Sequence, residues 1–293
     1  MSVASTLTVS APNGRMLSVR TAGSEGPAIL IQHGTPGSSG LWPAWVDDAA
    51  ARGARLVSYD RPGYGSSTPL GGRTVADCVE DARAACGALG IDRLVTWGIS
   101  GGGPHALACA ALAPDLFAAA ASVSSPAPFD ADGLDWFEGM GEENVADYGS
   151  MRDDPEGQRD KYRLYREVAL ASSDDEMRAG LGGLLSPADS AVMSSEYGSF
   201  VLDCMRSGQV SSELGWFDDD RAFVNPWGCD LSAIAVPVKV WHGGDDRFVP
   251  GPHGEYLARI IPGAEAELSP ADGHLTVVSG RIGDVHDWLL NRL

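Results

Sequence analysis

The chain has 293 residues, of which 44% are hydrophobic and 21% are charged, a composition typical of one large globular domain or one domain carrying an insertion. Its 40 acidic and 21 basic residues give a formal net charge of −19, which argues against a nucleic-acid-binding protein, because such proteins need clustered Lys and Arg. The five cysteines form no C-x-x-C pair and indicate neither a disulfide scaffold nor a thiolate zinc site.

The amino-terminal segment has no basic stretch followed by an apolar run, and no run of about 18 apolar residues occurs in the sequence. We therefore expect no membrane partner and a cytoplasmic location. The expected partner is a small-molecule substrate, and no oligomeric state is predicted.

Short apolar runs rich in β-branched residues alternate with helical stretches in the first 125 residues, and a further run follows residue 231. The predicted strands cover residues 6–9, 16–22, 28–32, 55–59, 93–97, 117–124 and 238–241, and the clearest predicted helices cover 75–89 and 102–112. This alternation predicts an α/β fold, with a mostly parallel sheet and helices on both faces. A Pro-Asn-Gly turn between the first two runs predicts an antiparallel hairpin at the sheet edge.

Between residues 126 and 230 the strand-like runs give way to signals for helix starts. Three such starts are predicted at Pro155, Ser173 and Ser186. The sequence therefore predicts a core domain of residues 1–125 and 231–293 and an all-helical cap of residues 126–230, called the helical insertion below. Because this segment joins two strands, we expect it over the carboxyl ends of the sheet, where open α/β sheets bind ligands.

Residues 94–105 read LVTWGISGGGPH, which combines a predicted strand, the pattern Gly-x-Ser-x-Gly and the start of an alanine-rich helix. Gly98 and Gly102 permit a turn too tight for side chains, and such a turn lifts the hydroxyl of Ser100 above the sheet. The backbone N–H of Gly101 then lies at a helix start and faces the group under attack. This segment predicts Ser100 as a nucleophile and Gly101 as an oxyanion-hole donor.

A serine nucleophile needs a base and an orienting acid, in the chain order Ser, then Asp or Glu, then His. His274 lies on a loop between a strand-like run, residues 264–268, and the last helix, from which it can reach over the sheet. The strand 238–241 leads into the pattern G-x-x-D-x-x-V-P, which favours Asp246 as the acid and leaves Asp245 as the alternative.

Two further loops follow predicted strands. The strand 28–32 runs into H-G-T-P-G, which starts at His33, and the backbone N–H of Thr35 is predicted to join that of Gly101 in an oxyanion hole. The strand 55–59 runs into D-R-P-G-Y-G-S-S, which starts at Asp60 and is interpreted as a structural loop shaping the neighbourhood of the site.

Together these segments resemble the α/β-hydrolase superfamily, particularly its cap-bearing esterase, haloperoxidase-like and proline iminopeptidase-like members. The matching motifs are H-G-x-P-G at His33, D-R-P-G-x-G-x-S at Asp60, G-x-S-x-G around Ser100, G-x-x-D-x-x-V-P around Asp246 and G-H at His274. The resemblance covers about residues 5–125 and 231–293. It implies an α/β-hydrolase fold and a cofactor-free ester or amide hydrolase, whereas dehalogenases and epoxide hydrolases of this build use aspartate at the position of Ser100.

Three functional hypotheses follow. The first is hydrolysis of a small carboxylic ester or lactone through an acyl-enzyme on Ser100. The second is a proline iminopeptidase-like aminopeptidase or amidase, in which a carboxylate of Glu138, Glu142 or Glu143 binds a substrate amine. The third is a cofactor-free lyase or a small-molecule-binding protein of the same fold.

No metal or cofactor is predicted, because metal-ligand spacings and phosphate-binding glycine motifs are missing from the sequence.

The helical insertion contains apolar side chains that are candidates for the wall of a substrate pocket. The predicted substrate-binding residues are Trp136, Phe137, Met140 and Trp216, with Tyr148 and Phe217 as further candidates. The alternative is that these side chains form the insertion's own core.

Overall fold

The computed structural model describes residues 4–23 and 25–293, and all statements below on its contents refer to these residues. The strands are β1 (Ser5–Ser10), β2 (Met16–Ala22), β3 (Ala28–Gln32), β4 (Arg55–Tyr59), β5 (Leu94–Ile99), β6 (Phe117–Val123), β7 (Val238–Gly243) and β8 (Glu265–Ser269). The helices are α1 (Pro43–Ala51), α2 (Cys78–Ala88), α3 (Gly102–Leu112), α4 (Glu142–Asp153), α5 (Pro155–Ala171), α6 (Asp174–Gly180), α7 (Pro187–Met193), α8 (Glu196–Gly208), α9 (Leu214–Phe223), α10 (Gly251–Ile260), α11 (Thr276–Gly280) and α12 (Ile282–Leu290). Within the described residues, no helix has the length and apolar character needed to cross a membrane.

The strands form a single sheet in the order β1-β2-β4-β3-β5-β6-β7-β8. The pairs β1–β2 and β2–β4 are antiparallel, and every other neighbouring pair is parallel. The predicted α/β fold and its antiparallel hairpin at the sheet edge are thereby confirmed. Because parallel strands end at the same edge of the sheet, the loops after β3, β5, β7 and β8 lie close together.

Helices cover both faces of the sheet. Along β3 the side chains alternate, so that Leu30 packs into one hydrophobic cluster while Ile29 and Ile31 pack into the other. The first cluster includes buried residues of α2, α3 and α10, and the second includes buried residues of α1, α11 and α12. Burial on both faces explains why the central strands are mostly apolar and do not alternate between apolar and polar residues.

The chain between β6 and β7 contains helices α4 to α9 and no strand among its residues. The three helix starts predicted there are confirmed. Helix α5 follows the N-cap Asp154, α6 follows Ser173, which forms a capping box with Glu176, and α7 follows the N-cap Ser186. These caps provide acceptors for N–H groups that have no partner within the helix.

Candidate active site

Ser100 occupies a sharp turn between β5, which ends at Ile99, and α3, which begins at Gly102. Its φ angle is 53°, in the left-handed region that residues with a side chain rarely adopt. The backbone N–H of Gly103 donates to the Ser100 carbonyl oxygen at 2.9 Å and closes the turn. Such strained residues are concentrated at functional sites, because only a strongly packed surrounding holds them in place.

The close approach of backbone segments requires glycine on both sides of Ser100. A Cβ atom on Gly98 would lie 2.1 Å from the carbonyl oxygen of Gly102, and a Cβ atom on Gly102 would lie 2.0 Å from that of Gln32. Neither position therefore has room for a methyl group. The same contacts press the turn against the end of β3, which brings Ser100 beside the loop that follows this strand.

His274 and Asp246 lie in direct contact. The Nδ1 atom of His274 donates to Oδ2 of Asp246 at 2.8 Å, and the second carboxylate oxygen accepts the backbone N–H groups of Phe248 and Val249 at 2.9 and 2.8 Å. The ring of Phe248 stacks on the imidazole, with ring centroids 4.6 Å apart. The partner of His274 is thus Asp246, whereas the side chain of Asp245 is 44% exposed.

The surroundings of His274 favour its protonated form. Burial lowers the pKa of the imidazole, but the charge of Asp246, its hydrogen bond and the charge of Asp189 together raise this pKa above its ordinary value of 6.5. In the neutral ring, the hydrogen bond to Asp246 keeps the proton on Nδ1 and leaves the Nε2 lone pair free. This is the tautomer that a general base acting on a serine hydroxyl requires.

Ser100 and His274 line one cavity of about 200 Å³ between the sheet edge and the helical insertion. The insertion contributes mostly apolar side chains to its wall: Leu181, Leu184, Met193, Tyr197, Phe200 and Met205. The core contributes Ile31, Trp45, Ile99, Phe248 and Leu275. No Lys, Arg, Asp or Glu of the described chain lines the cavity, and no group of three or more His, Cys, Asp or Glu in that part of the chain is arranged to hold a metal ion.

Four residues that the sequence predicts as substrate-binding do not line this cavity, namely Trp136, Phe137, Met140 and Trp216. The indole N–H of Trp136 donates to the carbonyl of Ala127 at 2.8 Å, and its ring packs edge-on against Tyr148. Trp216 stacks on Tyr162, with centroids 4.2 Å apart. Phe137 packs edge-on against Trp136, Met140 is buried, and of the six candidates Tyr148 lines the cavity.

Thr35 and Gly101 lie side by side next to Ser100. A Cβ atom on Gly101 would lie 2.3 Å from the Thr35 hydroxyl oxygen, and Thr35 lines the cavity together with Ser100. Among residues 4–23 and 25–293, no acceptor is bonded to the backbone N–H of either Thr35 or Gly101. Two unpaired N–H groups beside a serine hydroxyl are what an oxyanion hole needs.

A fully buried ion pair holds the turn that contains Thr35. Arg61 donates to the carbonyl oxygens of His33 and Gly34 at 2.5 and 3.2 Å and to the Thr35 hydroxyl at 3.0 Å. Asp219, on α9 of the helical insertion, accepts from Arg61 at 2.6 Å and from the Thr35 hydroxyl at 2.6 Å. The loop after β4 therefore anchors the loop after β3.

Asp219 stays ionised although it is completely buried. Burial raises the pKa of its carboxyl, but the charges of Arg61 and Arg73 outweigh burial and hold this pKa well below its ordinary value of 3.8. Arg73 lies 2.6 Å from the carboxylate, and the Tyr64 hydroxyl donates to it at 2.8 Å. Sequence reasoning missed Asp219, because nothing in the sequence separates it from the neighbouring aspartates.

Comparison with known proteins shows the family to which the chain belongs. The family model described as alpha/beta hydrolase fold matches residues 27–280. A non-heme haloperoxidase from Rhodococcus erythropolis is 26% identical, covering 91% of this chain and 92% of that protein, and a bifunctional esterase/perhydrolase from Acinetobacter calcoaceticus is 28% identical, covering 77% and 76%. The solved structure of a bromoperoxidase from Bacillus anthracis is similar with a TM-score of 0.71 at 20% identity, covering 98% of this chain and 99% of that one. With its serine turn and its His-Asp contact at one sheet edge, the chain belongs to the alpha/beta-hydrolase superfamily.

Proposed function

We propose that this protein is a serine hydrolase that cleaves small, uncharged carboxylic esters or lactones with Ser100, His274 and Asp246. The observation that carries the proposal is the 2.8 Å hydrogen bond between His274 and Asp246, with Ser100 in a strained turn on the same cavity. The relatives named above include an esterase, which supports the same chemistry.

In the first half of the proposed reaction, the Ser100 oxygen bonds to the carbonyl carbon of the substrate, and its proton passes to Nε2 of His274. The negative charge that develops on the carbonyl oxygen is stabilised by the N–H groups of Thr35 and Gly101, and each such donor is worth about 2.7–4 kcal/mol. Collapse of this intermediate breaks the bond to the alkoxy oxygen, which takes the proton from His274. An acyl-enzyme remains on Ser100.

In the second half, His274 takes a proton from a water molecule, whose oxygen bonds to the acyl carbon. The bond to Ser100 then breaks, and the serine oxygen regains a proton from His274, so that the free enzyme and a carboxylic acid result. With a lactone, the alcohol released in the first half stays attached to the acyl group. Asp246 keeps the imidazole oriented and stabilises the imidazolium in both halves.

The cavity wall supports a neutral substrate. Transfer of a charged group into an apolar, uncharged cavity is costly unless a partner compensates the charge. The carboxylates that the aminopeptidase hypothesis requires, Glu138, Glu142 and Glu143, do not line the cavity. The lining therefore favours the ester or lactone hypothesis over the binding of a cationic amino terminus.

A series of aryl esters of similar length tests the proposal. We expect p-nitrophenyl butyrate to give a kcat/KM about 10²-fold higher than the p-nitrophenyl hemisuccinate or 4-aminobutyrate, since each of these brings a charge into the cavity. A prolyl p-nitroanilide, which is an amide, tests the aminopeptidase hypothesis separately and should be cleaved more slowly still. Ser100→Ala should lower turnover by about 10⁴-fold or more, while Ser10→Ala, on the exposed edge strand, should retain it.

Two results would contradict the proposal. Faster cleavage of the prolyl anilide would favour the aminopeptidase hypothesis. Tight binding of the esters without turnover, equal in the wild type and in Ser100→Ala, would favour a binding protein.

A further inference from the structure

The loop that carries His274 is fastened to the helical insertion by one buried carboxylate. Asp189, on α7, is completely buried. Its Oδ2 and Oδ1 atoms accept the backbone N–H groups of His274 and Leu275 at 2.9 and 2.8 Å. The hydroxyl of Ser186 donates to the same carboxylate at 2.9 Å. Hydrogen bonds to a charged acceptor are stronger than neutral ones, so the two N–H donors fix the loop to the carboxylate, and the Ser186 hydroxyl holds the carboxylate itself.

The loop approaches the Asp189 carboxylate closely at Gly273. A Cβ atom on Gly273 would lie 2.3 Å from Oδ2 of Asp189 and 2.6 Å from the hydroxyl oxygen of Ser186. The residue immediately before His274 is therefore packed directly onto the carboxylate, which leaves the loop no space to move toward α7.

Helix capping does not explain the orientation of the Asp189 side chain. Ser186 is the N-cap of α7, and its hydroxyl oxygen accepts the backbone N–H of Asp189 at 3.1 Å. An acidic residue at this third helical position commonly reaches back to the N-cap N–H. Here the carboxylate accepts the hydroxyl of the N-cap Ser186 and, in addition, two consecutive N–H groups of the His274 loop.

We propose that Asp189 is a positioning residue for the proposed hydrolysis, which holds the backbone of His274 so that the imidazole stays in contact with Asp246 and on the cavity that Ser100 lines. This inference rests on the proposed function. It assigns to the helical insertion a part in the catalytic geometry, besides its contribution to the cavity wall.

The charged and titratable groups around His274 come from two directions. Asp246 and His242 belong to β7 and the loop after it, with His242 3.8 Å from the Asp246 carboxylate, and Asp189 belongs to α7. Burial lowers the pKa of His242 below 6.5, so that ring is neutral near neutral pH. Asp246 and Asp189 both raise the pKa of His274, and loss of either charge should lower it.

The variant Asp189→Asn tests the inference, because an amide keeps the shape but offers one acceptor where the carboxylate offers two. For the butyrate ester we expect kcat to fall about 10²-fold, as for other misplaced catalytic groups, with KM within about twofold of the wild type. The acidic limb of the pH profile of kcat, which reports the titration of His274, should move to lower pH. A purely structural role of Asp189 would not produce this shift. Asp203→Asn, whose side chain is 77% exposed on α8, is the matched control and should leave kcat and the pH profile unchanged.

A folded Asp189→Asn protein with wild-type kcat and an unchanged acidic limb would overturn the inference. If the Asp189→Asn variant does not fold, Ser186→Ala serves as the second variant, because it removes only one donor to the carboxylate. It should lower kcat severalfold without moving the acidic limb, and wild-type kcat in Ser186→Ala would equally overturn the inference.

NMR titration of the His274 imidazole separates this inference from the proposed function, because it needs no substrate. A lower pKa in Asp189→Asn than in the wild type supports the role of Asp189 even if no ester is cleaved. An identical pKa in the two proteins contradicts that role even if esters are cleaved rapidly.

Discussion

Thr35 links two distant parts of the chain through a single hydroxyl. The hydroxyl donates to Asp219 and accepts from Arg61, while the backbone N–H of the same residue has no acceptor among the described residues. Because the side chain both donates and accepts, only serine among the small residues reproduces its bonding. We infer that the hydroxyl keeps the N–H beside Ser100 in place.

Thr35→Val should therefore lower kcat by about 10- to 100-fold, somewhat less than complete removal of an oxyanion donor, with little change in KM. The affinity for a boronic acid that mimics the tetrahedral intermediate should fall by the same factor. Thr35→Ser keeps the hydroxyl and should stay close to the wild type. Wild-type turnover in Thr35→Val, or equal loss in both variants, would exclude this role.

At the level of secondary structure, local signals were sufficient to predict most of the elements. Helix α3 has the predicted bounds, and the hairpin and the helix starts of the insertion were predicted from turn and cap residues. β5 extends to Ile99, beyond the predicted end at residue 97, because pairing with β6 continues to Val123. The predicted helix 75–89 begins with a 3-10 turn over Val75–Asp77, and the backbone N–H and hydroxyl of Thr74 both donate to Asp77 at its start.

Contacts between distant elements could not be predicted in the same way. The G-x-S-x-G pattern and the pattern around Asp246 are local, and they identified residues that lie at one edge of the sheet. Asp189 and Asp219 instead bind loops 85 and 184 residues away in the chain. The residues next to them in the sequence form no motif that would indicate these contacts. The residues predicted for the pocket wall do not line the cavity for the same reason, since sequence alone does not tell whether an apolar side chain of the insertion faces the cavity or packs elsewhere.

In the molecule as a whole, the helical insertion and the core are joined by buried charges as well as by apolar packing. Asp219 contacts Arg61 and Arg73 of the core with full burial of all partners. The removal of one partner from such a group is costly, because it leaves the remaining charges buried without compensation. The insertion is thus held to the core at the loop beneath the proposed oxyanion hole.

Asp219→Asn should lower the free energy of unfolding by about 3–5 kcal/mol at neutral pH, the cost of breaking a buried pair. The pKa of Asp219 lies well below 3.8 in the folded protein, so this contribution is present above the ordinary aspartate pKa and is lost only as the pH falls through the depressed value. Chemical denaturation measures the difference, with the exposed Asp203→Asn as the control. If Asp219→Asn lowered the free energy of unfolding no more than Asp203→Asn does, the stabilising role of the Asp219 ion pairs would be contradicted.

The most direct test of the central claim is the intact mass of the protein after treatment with a fluorophosphonate probe, which reacts covalently with activated serine hydroxyls. We predict one adduct on the wild type and on Ser10→Ala, and none on Ser100→Ala. A wild-type mass that stays unchanged, or an equal adduct on Ser100→Ala, would contradict the role of Ser100 as the nucleophile.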